Sequence, residues 1–196
     1  MPKFDTYNGN VDIHLPTEHP SFLTKFILDL KTGKASQKRL LNLVVERPSY
    51  NTGVLARNIA YLRSEGESSR VMGTEIIKYD LKNEKILGSY KCKNECVFGE
   101  AFFVSSSGMY HFLLSINWIH KIFIPLLGKV RGKPTNSTEE DDGYLMDIVY
   151  HPKSHTSSFV VINAKTMEET FMAPLPQRIP YGVHGLWLDK QYLDSP

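Results

Sequence analysis

The chain has 196 residues, a formal net charge of +2 and 41% hydrophobic residues, values typical of one globular domain with a sizeable core. The mixed signs of its charges argue against a nucleic-acid-binding surface. Its two cysteines, Cys92 and Cys96, argue against a disulfide-built secreted scaffold. Their C-x3-C spacing lacks the second pair of a zinc signature, so the sequence predicts ordinary thiols.

The first predicted elements are two strands joined by a short turn. Residues 22–30 are rich in β-forming side chains, the turn covers 31–34, and residues 40–45 supply the return strand. Gly33 allows the positive φ that a short hairpin loop needs. Two further hairpins are predicted, with strands at 75–81 and 86–90 and at 158–163 and 170–175.

The three hairpins share an aliphatic-(Asp or Asn)-x-Lys phrase, and such repetition indicates repeated sheets. No helical period of any length competes with the strand pattern. The sequence therefore predicts an all-β fold, and a β-propeller is an architecture that accommodates repeated hairpins of this kind.

Two carboxylates stand in apolar surroundings. Glu46 follows the apolar strand at 40–45, and Glu100 lies among aromatic and aliphatic residues at 98–104. Charged groups in apolar company are costly unless they are paired. Each glutamate has a plain structural interpretation, as a turn residue for Glu46 and a strand-edge residue for Glu100.

A single histidine near the C-terminal end of the chain is framed by glycines and aromatic residues. His184 lies between Gly182 and Gly185, with Tyr181 and Trp187 as apolar neighbours. A histidine on a short strand after a turn can bind a metal through one ring nitrogen. A core histidine with a satisfied hydrogen bond is the alternative from the residues alone.

Three segments of the chain resemble the C-terminal signature of the carotenoid cleavage oxygenases, and they occur in the same order as in that family. They are residues 139–145 (Glu-Glu-Asp-Asp-Gly-Tyr-Leu), 159–166 and 180–185 (Pro-Tyr-Gly-Val-His-Gly), and they cover about the last quarter of the chain. The resemblance implies the C-terminal blades of a seven-bladed β-propeller, incomplete in this chain. It also implies that His184 is the last of four histidines that bind a non-haem iron(II).

The same resemblance implies roles for the two glutamates. Family members carry Glu-x-Pro-x-x-Asn where this chain has Glu46, and Glu-Pro-x-Phe-Val where it has Glu100. These glutamates accept hydrogen bonds from the second ring nitrogens of iron-binding histidines, which fixes the tautomer and raises ligand basicity. Ala101 stands where the family usually has proline, a departure that leaves the role of Glu100 intact.

An apolar insert interrupts the resemblance. Residues 108–136 have no family counterpart, and within them 109–127 reach the length of a membrane-spanning helix. His111, His120, Lys121 and Pro125 argue against a span, and neither histidine inherits a role. A translated intron or annotation error is the leading explanation and a peripheral membrane-contacting insertion the second. Residues 1–196 are therefore predicted to form one partial propeller domain that packs poorly against this insert.

The remaining candidate ligands are assigned to the surface. His14 and His19 lie in a Pro-rich stretch, and His151 and His155 flank a predicted hairpin tip, where Pro152 disfavours a helix. The acidic run at 139–142 lacks the alternating ligand spacing of a calcium loop, so a solvated turn is predicted.

The resemblance implies an iron(II) dioxygenase that cleaves a conjugated carbon–carbon double bond of a carotenoid or apocarotenoid with O2. No catalytic residue beyond the metal site is assigned. A non-catalytic β-sheet module or pseudoenzyme is the alternative, and an isomerohydrolase is another outcome on the same scaffold. The chain is expected to be a truncated, self-associating form. It is also expected to be intracellular, in a plastid or the cytoplasm if its source is a plant, because residues 1–5 show no targeting pattern.

Overall fold

A computed structural model describes residues 20–55, 57–65, 73–93, 96–106 and 139–180. Within them, the strands are β1 (Phe22–Asp29), β2 (Lys34–Ser49), β3 (Ile59–Ser64), β4 (Glu75–Asp80), β5 (Lys85–Lys91), β6 (Phe102–Ser105), β7 (Gly143–His151), β8 (Thr156–Asn163) and β9 (Glu169–Pro174). The predictions made for His14, His19, His111, His120, His184 and the whole insert at 108–136 lie outside the described residues. No helix among the described residues is long and apolar enough to cross a membrane.

The strands form two sheets, and within each sheet every strand pairs antiparallel with its neighbour in sequence. The first has the order β1-β2-β3-β4-β5 and the second the order β6-β7-β8-β9. The all-β prediction and the three hairpins are confirmed. The three hairpins fall in two sheets, because the 16-residue β2 joins the first hairpin to the strands of the second. Its first part pairs with β1 and its last part with β3.

The repeated turn phrase has a common structural cause. Asp29, Asp80 and Asn163 each end a strand, and each accepts hydrogen bonds from the backbone N–H groups two and three residues further on. The residue four positions after each one has positive φ, with values of 69° at Gly33, 52° at Glu84 and 59° at Met167. The positive φ predicted for Gly33 is therefore confirmed, and Asx turns account for the shared phrase.

One core joins the two sheets. Its buried members come from both sheets and from the segment between them: Tyr61, Ile76, Tyr90, Phe98, Leu145, Val149, Val160 and Ile162. The hydroxyl of Tyr61 crosses this interface and donates to the carbonyl of Ala164 at 3.1 Å. Burial raises the pKa of Tyr61 well above its ordinary value, so this hydroxyl stays a donor.

The outer part of the first hairpin lies away from the core. Phe26, Leu28 and Leu30 have exposed fractions of 66%, 68% and 94%, although they belong to residue types that are usually buried. An exposed apolar hairpin at the edge of a sheet favours association with other chains. The expected self-association of the chain is consistent with this surface and stays a prediction.

The cysteines differ from the prediction. Cys92 and Cys96 are paired in a disulfide with their Cα atoms 5.6 Å apart, rather than standing as two separate thiols. Both side chains are buried in the core that joins the two sheets, and they lie only four positions apart in the chain. The prediction of ordinary thiols rested on the missing second cysteine pair of a zinc site, and it is wrong because Cys92 and Cys96 pair with each other.

The strands on either side of the insert pair directly with each other. Ser105, the last residue of β6, is the cross-strand partner of Gly143, the first residue of β7. The chain thus leaves the sheet and re-enters it at adjacent positions, as expected from the sequence. Residues 107–138 lie outside the described residues, so the poor packing of the insert stays a prediction.

Candidate functional site

Glu46 lies in β2, directly opposite Arg63 of β3. One of its carboxylate oxygens lies 3.7 Å from Arg63 Nη2, and the other accepts a hydrogen bond from Ser21 Oγ at 3.3 Å. The side chain is 39% exposed. The register of the β2–β3 pair shifts immediately after Glu46, and Arg47 has a φ of 52°. This bulge bends the strand beside a carboxylate that is only loosely held.

Glu100 lies in the segment that passes from the first sheet to the second. Val97 at its start forms a bridge with Tyr150 of β7. The N–H of Phe98 donates to the carbonyl of Gly73 at 2.8 Å, just before β4. At the far end of the segment, the N–H of Phe103 donates to Ser49 Oγ at 3.0 Å. The backbone around Glu100 is therefore held by both sheets.

Arg63 is a buried cation beside this segment. Its Nη1 donates to the carbonyls of Phe98 and Gly99 at 3.3 and 3.4 Å. Its Nη2 donates to Glu65 Oε1 at 2.8 Å. Burial raises the pKa of Glu65, and the charge of Arg63 opposes the rise. Arg63 therefore connects the first sheet to the backbone that precedes Glu100.

Asp147 approaches the same segment from β7. Its Oδ1 accepts hydrogen bonds from the N–H groups of Ile148, at 2.7 Å, and of Gly99. Burial raises its pKa to about 7, a rise partly opposed by the Ile148 N–H and by Arg63. A carboxyl group titrating there exchanges a proton near neutral pH.

Arg47 lies among all the charges of this region. Burial lowers the pKa of its guanidinium and the like charge of Arg63 lowers it further, whereas Glu100, Glu46 and Asp147 raise it, in that order. Glu46 and Glu100, the two glutamates singled out in the sequence, thus both act electrostatically on the Arg47 guanidinium. Their predicted role toward iron-binding histidines is not tested by this arrangement.

The two described histidines lie where the sequence predicted, at a hairpin tip. His151 ends β7, and its Nε2 lies 2.9 Å from Ser158 Oγ. His155 ends the turn with a φ of 54°, and its Nδ1 lies 2.8 Å from the hydroxyl of Tyr150. Both rings have neighbours belonging to their own hairpin.

The acidic run at 139–142 forms a turn, but its prediction as merely solvated is wrong. The carboxylate of Glu140 accepts hydrogen bonds from the N–H groups of Asn58 and Ile59 at 2.8 and 2.7 Å. Asp141 pairs with the buried Lys78 at 2.7 Å. These carboxylates fasten the second sheet to the first. The absence of calcium-loop spacing gives no information on such contacts between sheets.

The resemblance implies a bound iron, and the described side chains show which part of such a site this chain could supply. In the described ranges, no group of three or more His, Cys, Asp or Glu side chains is arranged to hold a metal ion. Glu46 is partly exposed, and its two contacts at 3.3 and 3.7 Å are long. Its oxygens thus retain capacity to accept a ring N–H, since a carboxylate has about four lone-pair positions. The described carboxylates are therefore suited to accept a hydrogen bond from a metal-binding histidine, rather than to bind the metal themselves.

Sequence reasoning missed Arg63 and Asp147. The signal for Asp147 was present, because an aspartate in the middle of an apolar strand needs a partner or must be neutral. The same reasoning that singled out Glu46 and Glu100 holds for Asp147 in the apolar run 144–150. Arg63 gave no comparable signal, since an arginine near a strand end is ordinary on a surface.

The two sheets match part of a known β-propeller class. The cobalt-substituted apocarotenoid oxygenase of Synechocystis superposes with a TM-score of 0.67 at 19% identity, over 96% of this chain and 34% of that one. This likeness gives the fold, and the β-propeller prediction is confirmed.

The family follows from the sequence itself. The profile of the retinal pigment epithelial membrane protein family (RPE65) matches residues 2–189, and the chain belongs to that family. A carotenoid 9,10(9',10')-cleavage dioxygenase of Phaseolus vulgaris is 31% identical over 99% of this chain and 33% of its own length. The carotenoid dioxygenase carX of Gibberella fujikuroi is 41% identical over 30% of this chain and 10% of its own. The chain spans about a third of the length of the first of these relatives.

Proposed function

We propose that this chain supplies the C-terminal part of the active site of an iron(II)-dependent dioxygenase that cleaves a conjugated double bond of a carotenoid or apocarotenoid. The observation that carries the proposal is the match of a carotenoid cleavage dioxygenase along nearly the whole chain. It is supported by the position of Glu46 and Glu100, which both act on the charge of Arg47. Bound iron would supply the activation of O2.

The residues of this chain would act around that metal. His184 would be a ligand through one ring nitrogen. Glu46 and Glu100 would accept the N–H of the second ring nitrogen of iron-binding histidines and so hold each ring in the required tautomer. The loose contacts of Glu46 suit this task, because an oxygen fully occupied by Arg63 could not also accept a ring N–H.

The test is made on an enzyme extended to the length of the relatives. The chain is joined to the upstream two thirds of the Phaseolus vulgaris dioxygenase, and both iron content and carotenoid cleavage are measured. We expect stoichiometric iron and O2-dependent products. His184→Ala should abolish both, and Glu100→Gln should lower activity by about 10–100-fold, a typical loss for a group that orients a metal ligand.

His155→Ala is the matched control, because His155 lies at a hairpin tip and hydrogen-bonds to Tyr150. Its iron content and activity should equal those of the parent. Full iron and activity in His184→Ala would overturn the proposed ligand. An extended enzyme that folds and binds no iron would favour the non-catalytic module instead.

A further inference from the structure

Two buried charged side chains, one from each sheet, hold the peptide groups of Gly99 from opposite sides. Arg63 of β3 donates to the carbonyls of Phe98 and Gly99. Asp147 of β7 accepts the N–H of Gly99. Both side chains are buried, Arg63 to 6% exposure and Asp147 to 5%. We call Arg63 and Asp147 together the Gly99 clamp.

The clamp requires glycine at the position it holds. A Cβ atom on Gly99 would lie 2.8 Å from Asp147 Oδ1 and 3.2 Å from the carbonyl oxygen of Ile148. The first distance is below any ordinary contact and involves a short, buried side chain, so a larger residue would push Asp147 off the N–H group. The segment is therefore built for close approach of its backbone to a carboxyl group.

The clamp also links the two glutamates of the proposed site. Arg63 faces Glu46 across the β2–β3 pair at 3.7 Å, and through the Gly99 carbonyl it holds the residue that precedes Glu100. A planar guanidinium with five donors can span such partners in one fixed geometry, which an ammonium cannot.

We propose that Arg63 and Asp147 are positioning residues, whose grip on the Gly99 backbone sets the position of Glu100 relative to Glu46. The consequence for catalysis rests on the proposed function, whereas the grip itself does not.

The incomplete pairing of the clamp supports a role beyond holding the sheets together. Arg63 Nε and Asp147 Oδ2 are buried and have no hydrogen-bond partner among the described residues. Such atoms are rare in folded proteins and costly. A contact retained at that cost is expected where geometry matters more than stability.

The grip is tested on the chain itself by amide hydrogen exchange, followed by mass spectrometry of the peptide covering residues 97–104. Arg63→Met removes two hydrogen bonds to this segment, and Asp147→Ala removes the one to the Gly99 N–H. Each should raise exchange in this peptide by about tenfold or more. Asp147→Asn should restore protection, because its amide oxygen accepts the same N–H. Arg63→Lys should restore little, because it lacks the planar fork.

Tyr61→Phe is the matched control. It lies on the same strand as Arg63 and removes another hydrogen bond between the sheets, from the Tyr61 hydroxyl to Ala164. Its exchange should change around Ala164 and not in residues 97–104. Unchanged exchange in Arg63→Met, or an equal rise in Tyr61→Phe, would overturn the clamp whatever the enzyme does.

The catalytic consequence is measured in the extended enzyme. Arg63→Met and Asp147→Ala should lower kcat by about tenfold or more, with KM within about twofold, because the substrate is bound but the metal support is displaced. Asp147→Asn should recover most of kcat. A parent enzyme without iron or activity would refute the proposed function while the exchange result still decides the clamp. Altered exchange with unchanged kcat would overturn the positioning role alone.

Discussion

Within the described residues, charged side chains tie the two sheets together at the acidic turn and at the Gly99 clamp, and the two ties differ in how completely their polar atoms are paired. At the acidic turn, Lys78 contacts both Asp141 and the carbonyl of Lys165 at 2.7 and 2.9 Å, and Glu140 accepts two backbone N–H groups. At the Gly99 clamp, Arg63 contacts two carbonyls at 3.3 and 3.4 Å, and its Nε has no hydrogen-bond partner within the described part of the chain. The first tie is short and nearly saturated, and the second is longer and incompletely paired.

This difference indicates that the acidic turn serves to hold the two sheets together, whereas the Gly99 clamp serves to position the backbone beside Glu100. A buried charge is tolerated when its partners are close and complete, as around Lys78. The clamp is similarly buried and bridges the same sheets, yet Arg63 Nε and Asp147 Oδ2 have no hydrogen-bond partner among the residues that the structure describes. Violations of this kind are expected at functional sites, where selection acts on geometry. The clamp is also the tie that adjoins Glu46 and Glu100.

The largest effect is expected at the acidic turn. Lys78→Met removes a cation with 4% side-chain exposure and leaves Asp141 without its partner. We expect a loss of about 3 kcal/mol in the free energy of unfolding, the lower end of the range for breaking a buried pair, because Asp141 retains some exposure. Urea unfolding of the chain measures it.

Lys165→Met is the control for this prediction. Its ion pair with Glu139 joins side chains that are 58% and 60% exposed, so its loss should cost less than about 1 kcal/mol. A Lys78→Met variant no less stable than Lys165→Met would show that the acidic turn does not fasten the sheets.

A smaller, pH-dependent effect is expected at the clamp. Asp147 has a pKa of about 7 in the folded chain and 3.8 as its ordinary value. Between these values the folded chain keeps the proton and the unfolded chain has released it, so stability falls as pH rises. The contribution of Asp147 is at most about 1.4 kcal/mol per pH unit and levels off above pH 7.

Asp147→Asn removes this dependence without removing the acceptor. The difference in unfolding free energy between Asp147→Asn and the parent should therefore grow in favour of the variant from about pH 4 to pH 7. The surrounding charged groups are unchanged in the variant and cancel in the difference; they are Glu46, Arg47, Arg63, Glu65 and Glu100. Parallel stability curves for the two proteins would show that Asp147 is ionised throughout.

The sequence predicted the local elements well and the long-range ones poorly. The three hairpins were predictable because Asp29, Asp80 and Asn163 each determine a turn through contacts within three residues. The division into two sheets was not, because the extent of β2 depends on pairing with both β1 and β3.

The candidate site shows the same limit. Glu46 and Glu100 were recognisable as carboxylates in apolar sequence, and the resemblance gave them a function. Arg63 and Asp147 come together only when the two sheets pack, so no local pattern joins them. The disulfide between Cys92 and Cys96 was also missed, because the Cα separation of 5.6 Å that allows it belongs to the folded chain and cannot be read from the C-x3-C spacing.

The smallest effect is expected at Glu46, where the contrast between stability and function is sharpest. Its side chain is 39% exposed, its distance to Arg63 is 3.7 Å, and Arg63 already has a closer partner in Glu65 at 2.8 Å. Partly exposed pairs at such distances contribute little, so Glu46→Gln should change the free energy of unfolding by less than about 0.5 kcal/mol.

Urea unfolding of this chain and iron content of the extended enzyme give the two readouts. We expect nearly parental stability together with reduced iron content, because a neutral amide supports a ligand-bearing imidazole less well than a carboxylate. A loss of stability as large as that of Lys78→Met would place Glu46 with the fastening contacts, and the distinction between the two ties would then be lost.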